Sequence, residues 1–539
     1  MLKKLLNPVA KIYVKYALKK RGNPFELFKV KKMGVALPPA EKGVVFVGPI
    51  RMSAEAHLFE GIIGYAYRLR GYKVYAVMCG QKLADCETLP HDSSFTAVKC
   101  ATCFNQQRLF CETFEIEPLY LGDYINSQEE NAIEKSLPEL EIDKMEFNGV
   151  DIESHVSSGI MRVLKKSSLS PDDLPLVRRF GKTTMITMTA ARNMMKEFRP
   201  EHLIMSHGTY STWGALILAA EQENVHTVVW GRGYVGKGNI LATHNGSYLF
   251  KNILEPKSNF ENLQLTEEQL NKTRAYFKGK RNPKKGVDYI SYYSGNKNTG
   301  DQVDIYKQLN IPKDKVIVGM FPNIPWDGQA FSYSPVFPSI REFVRTTIEW
   351  FKGKDAYLII RAHPAEMHSR SSGQLETFQD ILEQLYPTLP ENVIFLPADA
   401  SITSYQLESS ISTALLYAGT IGLEFAVNNT SVIQAGKNAF SDKGFIFEPD
   451  SLNDFHQLLT KASEKELDMT EDMKEMALKY AYHWIFRRHF PETIISFEGA
   501  QQFKGYNFTS TKEILDNEEL RQFMECIDEH KDFVYQPKL

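Results

Sequence analysis

The chain has 539 residues, 43 % of them hydrophobic and 24 % charged, with a net charge of -3. At roughly 100–200 residues per domain this is two to four domains, with cores large enough to need no disulfides. The composition excludes a disordered chain, and the charge argues against a nucleic-acid partner. No run of about 18 apolar residues could span a bilayer. Lysines interrupt the N-terminal segment where a secretory signal needs an unbroken apolar core, so a cytoplasmic location is expected.

Residues 1–22 carry Lys3, Lys4, Lys11, Lys15, Lys19, Lys20 and Arg21 with no acid among them. Val9, Ile12, Tyr13 and Tyr16 recur at helical spacing, and Lys11, Lys15 and Lys19 line another face. Such a helix suits an anionic membrane surface, which would make the protein peripheral on the inner face of the cell membrane. The other reading is a solvated helix packed on its domain.

Residues 23–255 read as a first α/β domain. Strands are expected at 44–49 and 73–78 around a helix over 53–70, with Gly71 before the second strand, which is the βαβ grammar of a parallel sheet. Residues 112–200 read as largely helical. A strand at 202–206, a helix over 212–223 and a strand at 226–230 follow. Residues 256–312 read as a helix plus linker. Residues 313–470 form a second α/β series, with strands at 316–321, 356–361, 393–396, 412–417 and 430–434 and a helix over 338–351. Residues 471–539 read as a polar, helical tail. The expected fold class is therefore α/β, with two doubly wound domains of Rossmann type. Such domains place ligands at the carboxyl ends of their strands.

Five of the six cysteines fall between Cys79 and Cys111. Cys100 and Cys103 form a C-x-x-C pair, and with Cys86 and one of Cys79, His91 or Cys111 they could complete a tetrahedral zinc site. Iron–sulfur spacings are absent. The alternative is a set of buried, unligated thiols.

Three strand-end segments of the second domain carry the chemistry. In Arg361-Ala362-His363-Pro364-Ala365-Glu366 the proline turns the chain at a strand end. An arginine fork and a histidine there could receive phosphate oxygens. Tyr417-Ala418-Gly419-Thr420-Ile421-Gly422-Leu423-Glu424 opens a helix. Its glycines permit close backbone approach, Thr420 adds a hydroxyl, and Glu424 could accept from sugar or ribose hydroxyls. Asn323 and Asp327 lie on the loop after the first strand of this series.

The order of the Asn-x-x-Trp-Asp loop, the Arg-x-His-Pro-x-Glu turn and the Thr-x-Gly-x-Glu-x-Ala helix start resembles bacterial capsular polysaccharide biosynthesis glycosyltransferases. These are GT-B proteins, two facing Rossmann-type domains, distantly similar to the Kdo transferases of capsule assembly. The resemblance covers residues 315–450 well, and 43–110 and 200–250 less specifically. It implies transfer of a sugar from a nucleotide-sugar donor to a glycan or lipid-linked glycan acceptor of capsular or O-antigen type. It further implies that Asn323, Arg361, His363, Glu366, Thr420, Gly422, Glu424 and Lys437 hold the donor. Catalytic candidates are Asp327 and, on the acceptor side, Glu55, His57 and His207, since an inverting reaction needs a base. Arg361→Ala and Glu424→Ala would then fold but lose turnover.

There is no Walker loop, no G-x-G-x-x-G after the first strand, no H-E-x-x-H and no Asp-x-Asp. No obligatory Mg²⁺ is therefore expected. Charge on the leaving phosphate would fall to Arg361, His363, Lys437 and helix-start N–H groups. The rival readings are a nucleotide-sugar epimerase or polyol-phosphate transferase on the same fold, and a non-catalytic polysaccharide-assembly protein.

Overall fold

The central strands of the first half are mostly apolar because both faces of their sheet are covered. In the computed structural model, β1 (Val44–Val47), β2 (Lys73–Met78), β3 (Glu117–Tyr120), β4 (His202–Ser206) and β5 (His226–Arg232) run parallel in the order β5-β4-β1-β2-β3. β6 (Asn239–His244) pairs antiparallel with β5. Alternate side chains enter two cores: Val45 and Val47 face one, Phe46 the other. Helices α1 (Asn7–Lys20), α2 (Pro24–Lys31), α3 (Ala54–Leu69) and α4 (Thr96–Phe114) fill the first core, and α5 (Leu174–Phe198) lines the second. Gly61 is required where α3 meets α4, since a Cβ there would lie 2.2 Å from the Phe114 ring.

The second sheet is wholly parallel. β7 (Val316–Phe321), β8 (Ala356–Arg361), β9 (Val393–Leu396), β10 (Thr413–Leu416) and β11 (Ser431–Gln434) lie in the order β9-β8-β7-β10-β11, and β10 leads into the short helix α6 (Ile421–Val427). In each sheet the chain reverses its direction of strand addition once, between β1 and β4 and between β7 and β10. Connections diverge there and leave a crevice at the carboxyl edge.

The chain divides into two units: Met1–Leu164, Ser168–Tyr248 and His489–Leu539 form the first, Lys165–Ser167 and Leu249–Arg488 the second. The segment expected as a polar helical tail over 471–539 is split between them. Helix α7 (Glu471–His483) stays in the second unit. From His489 the chain rejoins the first unit, where β12 (Phe490–Pro491) pairs with β6, β13 (Ile495–Glu498) and β14 (Gln502–Tyr506) form a hairpin, and α8 (Glu518–Asp528) follows. The cause is apolar: Phe490, Phe503, Tyr506, Phe508, Phe523 and Phe533 are all buried in the first core. Residues 6–20, 22–51, 54–88, 96–233, 235, 239–246, 255–281, 303–326, 334–366, 376–498 and 502–536 are described. Lys3, Lys4, Arg21, His91, Asp327 and the side chain of Glu55 lie outside the described residues.

The two crossings into and out of the second unit are tied by buried charge. Glu255 accepts hydrogen bonds from His483 Nε2 (2.8 Å), from Asn259 Nδ2 (2.7 Å) and from the Arg488 guanidinium. Glu255, His483 and Arg488 are all buried.

Helix α1 is amphipathic in an unusual sense. Ala10, Val14 and Leu18 are buried on the first unit, while Val9, Ile12, Tyr13 and Tyr16 are 58–72 % exposed at i, i+3, i+4 and i+7. No helix among the described residues is long and apolar enough to cross a membrane.

Candidate functional site

At the carboxyl edge of the second sheet, the turns after β7, β8 and β10 leave three adjacent strands. Two of them are joined directly. Asn323, buried at the end of β7, accepts the Ala418 N–H after β10 at 3.0 Å. Thr420 stands at the start of α6 and makes no side-chain cap hydrogen bond. Gly422 lets α6 approach β10, because a Cβ there would meet Leu416 at 2.7 Å. On the third turn, His363 Nδ1 accepts the Ala365 N–H (3.1 Å), so its hydrogen sits on Nε2. Burial and the neighbouring Arg361 push the His363 imidazole down to about 4, leaving it neutral at physiological pH.

Arg361 does something else. Its guanidinium is buried and donates to the carbonyls of Ile402 (2.9 Å), Ala362 (2.8 Å), Pro397 (2.6 Å), Ala398 (3.3 Å) and Ala400 (3.5 Å). The expected phosphate fork is instead the scaffold of the loop after β9, because that loop presents carbonyls that only a planar multi-donor group can satisfy. Glu366 is likewise structural, accepting the buried Phe378 N–H at 3.1 Å. Glu424 is engaged by Lys280 Nζ (2.8 Å) and the Tyr405 hydroxyl (2.8 Å). Lys437 pairs with Asp442 (2.7 Å) and Glu448 (3.2 Å), so its charge is already matched by carboxylates. Lys280 and Tyr405 escape sequence reasoning, the first because it lies in a polar stretch that reads as linker.

The carboxyl edge of the first sheet holds a second polar group of residues. The Arg51 guanidinium lies 3.7 Å from the Trp213 ring centroid, and its Nε is 3.7 Å from Glu87 Oε2. Glu87 accepts the N–H (2.8 Å) and hydroxyl (2.9 Å) of Thr212. His207 stacks on Trp213 with centroids 4.9 Å apart. His207 and Tyr210 hold φ of 60° and 68°, a left-handed strain that collects at functional sites. Burial, then Arg51 and Arg162, push His207 down to about 3, so it is a weak base. His57 is sealed inside α3, 1 % exposed, with Nε2 donating to the Arg51 carbonyl at 3.0 Å. The expectation that it reaches an acceptor is corrected by that burial. Arg51, Glu87 and Trp213 carry no motif that would single them out in the sequence.

Glu60, on α3, is fully buried and accepts the Ser206 N–H at 2.8 Å; burial pushes its carboxyl up to about 8. The folded state keeps this proton where the unfolded chain, with an ordinary value of 4.5, has lost it. Stability therefore falls by about 1.4 kcal/mol per pH unit across that window. Glu492 is pushed to about 8 by burial and adds the same sign. His57, held at about 4, and His207 act oppositely, but only below their ordinary 6.5. The thermal unfolding midpoint of the first unit should fall from pH 6.5 to pH 8, and Glu60→Gln should flatten that fall. A midpoint rising over the same range would contradict the assignment.

Cys79, Cys86, Cys100 and Cys103 line one cavity of the first unit, with Arg51, Gln107 and Thr212 on its wall and about 390 Å³ of empty space partly open to solvent. Their sulfurs do not converge as a tetrahedral site requires: among the described residues no three of them lie within 4.8 Å of one another. Cys86 contacts the Thr88 hydroxyl at 3.0 Å instead, and burial, with Glu87 nearby, pushes its thiol up to about 12. Cys111 packs against Met78 at 3.9 Å. The expected zinc ligands are thus gathered around one space without converging on a point.

No family model matches the sequence, and no curated protein matches it. Among solved structures, the chain is similar to KpsC of Thermosulfurimonas dismutans, a beta Kdo 2,4 transferase. The identity is 12 %, over 59 % of this chain and 87 % of that one, with a TM-score of 0.34. It is also similar to a glycosyltransferase from Rickettsia africae at 9 % identity, over 91 % and 98 % of the two chains, with a TM-score of 0.27. A UDP-GlcNAc 2-epimerase from Methanocaldococcus jannaschii, in complex with UDP-GlcNAc and UDP, matches at 10 % identity over 82 % and 98 %, with a TM-score of 0.27.

Proposed function

We propose that the chain is a GT-B-type glycosyltransferase that moves a sugar from a nucleotide donor to a growing capsular or O-antigen type polysaccharide. The observation that supports this best is the junction at the carboxyl edge of the second sheet. There the Asn323–Ala418 hydrogen bond joins two strand-end turns at the strand reversal, and His363 stands on the adjacent turn. In this reading the donor's phosphate meets neutral donors: the His363 Nε2–H, the Thr420 hydroxyl and backbone N–H groups of residues 419–421. Fixed dipoles of this kind stabilise a leaving phosphate without Mg²⁺. Glu424, oriented by Lys280 and Tyr405, lies one turn deeper for the sugar or ribose. Because His57 is sealed and His207 is a weak base, the acceptor base falls to Glu55 or Asp327.

The test is a thermal-shift panel of nucleotides and nucleotide sugars, followed by labelled-donor turnover with glycan acceptors. A binder present at about 100 times its Kd should stabilise the fold by about 2.7 kcal/mol. His363→Ala should keep the unliganded midpoint and lose the ligand-induced shift. An altered sugar released without acceptor would make the chain an epimerase, and no shift with any nucleotide would leave the assembly-protein reading.

We further propose that α1 rests on an anionic membrane, which would bring the enzyme to lipid-carried acceptors. Burial of Ala10, Val14 and Leu18 fixes the helix and leaves Val9, Ile12, Tyr13 and Tyr16 outward. Co-sedimentation with vesicles containing anionic lipid should therefore be lost in Ile12→Glu/Tyr16→Glu, with turnover on a soluble acceptor unchanged. Equal sedimentation of wild type and variant would refute this.

A further inference from the structure

The amino edge of the first sheet, opposite the edge that holds the polar group around Arg51 and Trp213, carries four histidines that no reading above uses. His202 and His226 begin adjacent strands β4 and β5 and face each other in register. His244 ends the antiparallel β6, and His530 follows α8. His202 is buried, His226 half-buried and His530 exposed.

Hydrogen bonds fix the tautomers of two of these rings. His244 Nε2 lies 2.8 Å from the Lys531 carbonyl, which can only accept, so the hydrogen of His244 is on Nε2 and its Nδ1 is a bare lone pair. That Nδ1 lies 2.8 Å from His226 Nε2, which must then donate, leaving the Nδ1 of neutral His226 bare. His202 Nε2 lies 3.9 Å from the Asp528 carboxylate, beyond hydrogen-bond reach, so this contact does not fix which nitrogen carries the His202 hydrogen. Asp528 is itself fixed by the Tyr67 hydroxyl (2.8 Å) and Arg70 (2.6 Å). His202 Nδ1 faces the bare Nδ1 of His226 at 2.8 Å, a contact that either a His202 Nδ1–H or a metal held by both nitrogens satisfies. A ring nitrogen of His530 completes a group of three ligand atoms, all within 4.8 Å of one another.

We propose that His202 Nδ1, His226 Nδ1 and His530 bind a divalent transition metal of the zinc class, with His244 orienting the His226 ring from behind and the Asp528 carboxylate lying near the His202 ring. Imidazole suits zinc, and a metal-bound histidine ordinarily gives its other N–H to a carboxylate or another acceptor, as His226 gives its Nε2–H to His244. The site would clip the segment after α8 onto the starts of β4 and β5. It is separate from the cysteine cavity and from both carboxyl edges.

The test uses the full chain, stripped with chelator, reloaded with Zn²⁺, desalted and assayed for bound metal. Wild type and a Cys100→Ser/Cys103→Ser variant should each retain one equivalent. His530→Asn, which tolerates the left-handed backbone at this exposed position (φ 54°), should retain none while keeping the wild-type circular dichroism. His244→Gln should weaken zinc about 10–100-fold. Co²⁺ loaded in place of zinc should give tetrahedral visible bands without thiolate charge transfer. Failure of the wild type to retain zinc would overturn the proposal and leave a plain hydrogen bond between the two rings. Undiminished retention in both His530→Asn and His244→Gln would overturn it as well.

Discussion

Glu255→Ala is expected to destabilise the second unit by about 3–5 kcal/mol, the usual cost of removing one partner from a buried ion pair. Arg488 cannot lose its proton, and in the variant it would stay buried with no carboxylate; His483, fully buried, would lose its partner at the same time. Although burial itself opposes ionisation, Arg488 and the hydrogen bonds from His483 and Asn259 outweigh it and hold the Glu255 carboxyl down to about 2. The sign of the pH effect follows. The unfolded chain takes up a proton near 4.5 and the folded one only near 2, so this stabilisation is complete above pH 4.5 and is lost as pH falls toward 2. The loss amounts to about 3 kcal/mol. Urea unfolding at pH 7 and at pH 3 should show a large Glu255→Ala penalty at the first and a smaller one at the second. Glu255→Gln, which keeps an acceptor but no charge, should fall between wild type and alanine. A penalty below about 1 kcal/mol at pH 7 would mean that the pair contributes little net stabilisation.

Arg361→Ala is expected to cost at least about 3 kcal/mol, since several buried carbonyls lose their donor together and each costs about 1–3 kcal/mol when left unmade. The loop carrying Pro397, Ala398, Ala400 and Ile402 should loosen first. Arg361→Lys should not rescue it, because an ammonium cannot spread its donors in a plane across five carbonyls. Any lost turnover in these variants should track the unfolded fraction and recover on cooling below the lowered midpoint. Lost turnover with an unchanged midpoint would instead restore Arg361 to direct contact with phosphate.

The parts legible in the sequence were those where burial imposes a pattern. β2, β4, β7 and β8 stand at the predicted residues because each is a strand within a parallel sheet and reads as an apolar run, and the edge strand β9 stands there because its Val-Ile-Phe-Leu run is apolar too. β3 was hidden because Glu117-Pro118-Leu119-Tyr120 is a short edge strand with little apolar signal. The strands after His489 were hidden because their aromatic residues are interleaved with polar ones and serve a core built more than 400 positions earlier. Side-chain chemistry was legible only as placement. The turns with Asn323, His363 and Thr420 were correctly put at strand ends, yet Arg361 and Glu366 proved to serve the scaffold. Motif spacing shows where a side chain starts, while its partners depend on carbonyls and helices distant in sequence, such as those of residues 397–402 for Arg361 and Lys280 for Glu424.

The path of the chain also sets an order of maturation. The first unit cannot close around Phe28 and Tyr65 until β14 and the residues beyond it supply Tyr506, Phe508 and Thr511. The second unit, which ends at Arg488, lies wholly upstream of those residues. On the ribosome the inserted half can thus be finished while the half begun earlier still shows apolar surface, reversing the usual first-made, first-folded sequence. That half-built species is the one a chaperone would need to shelter.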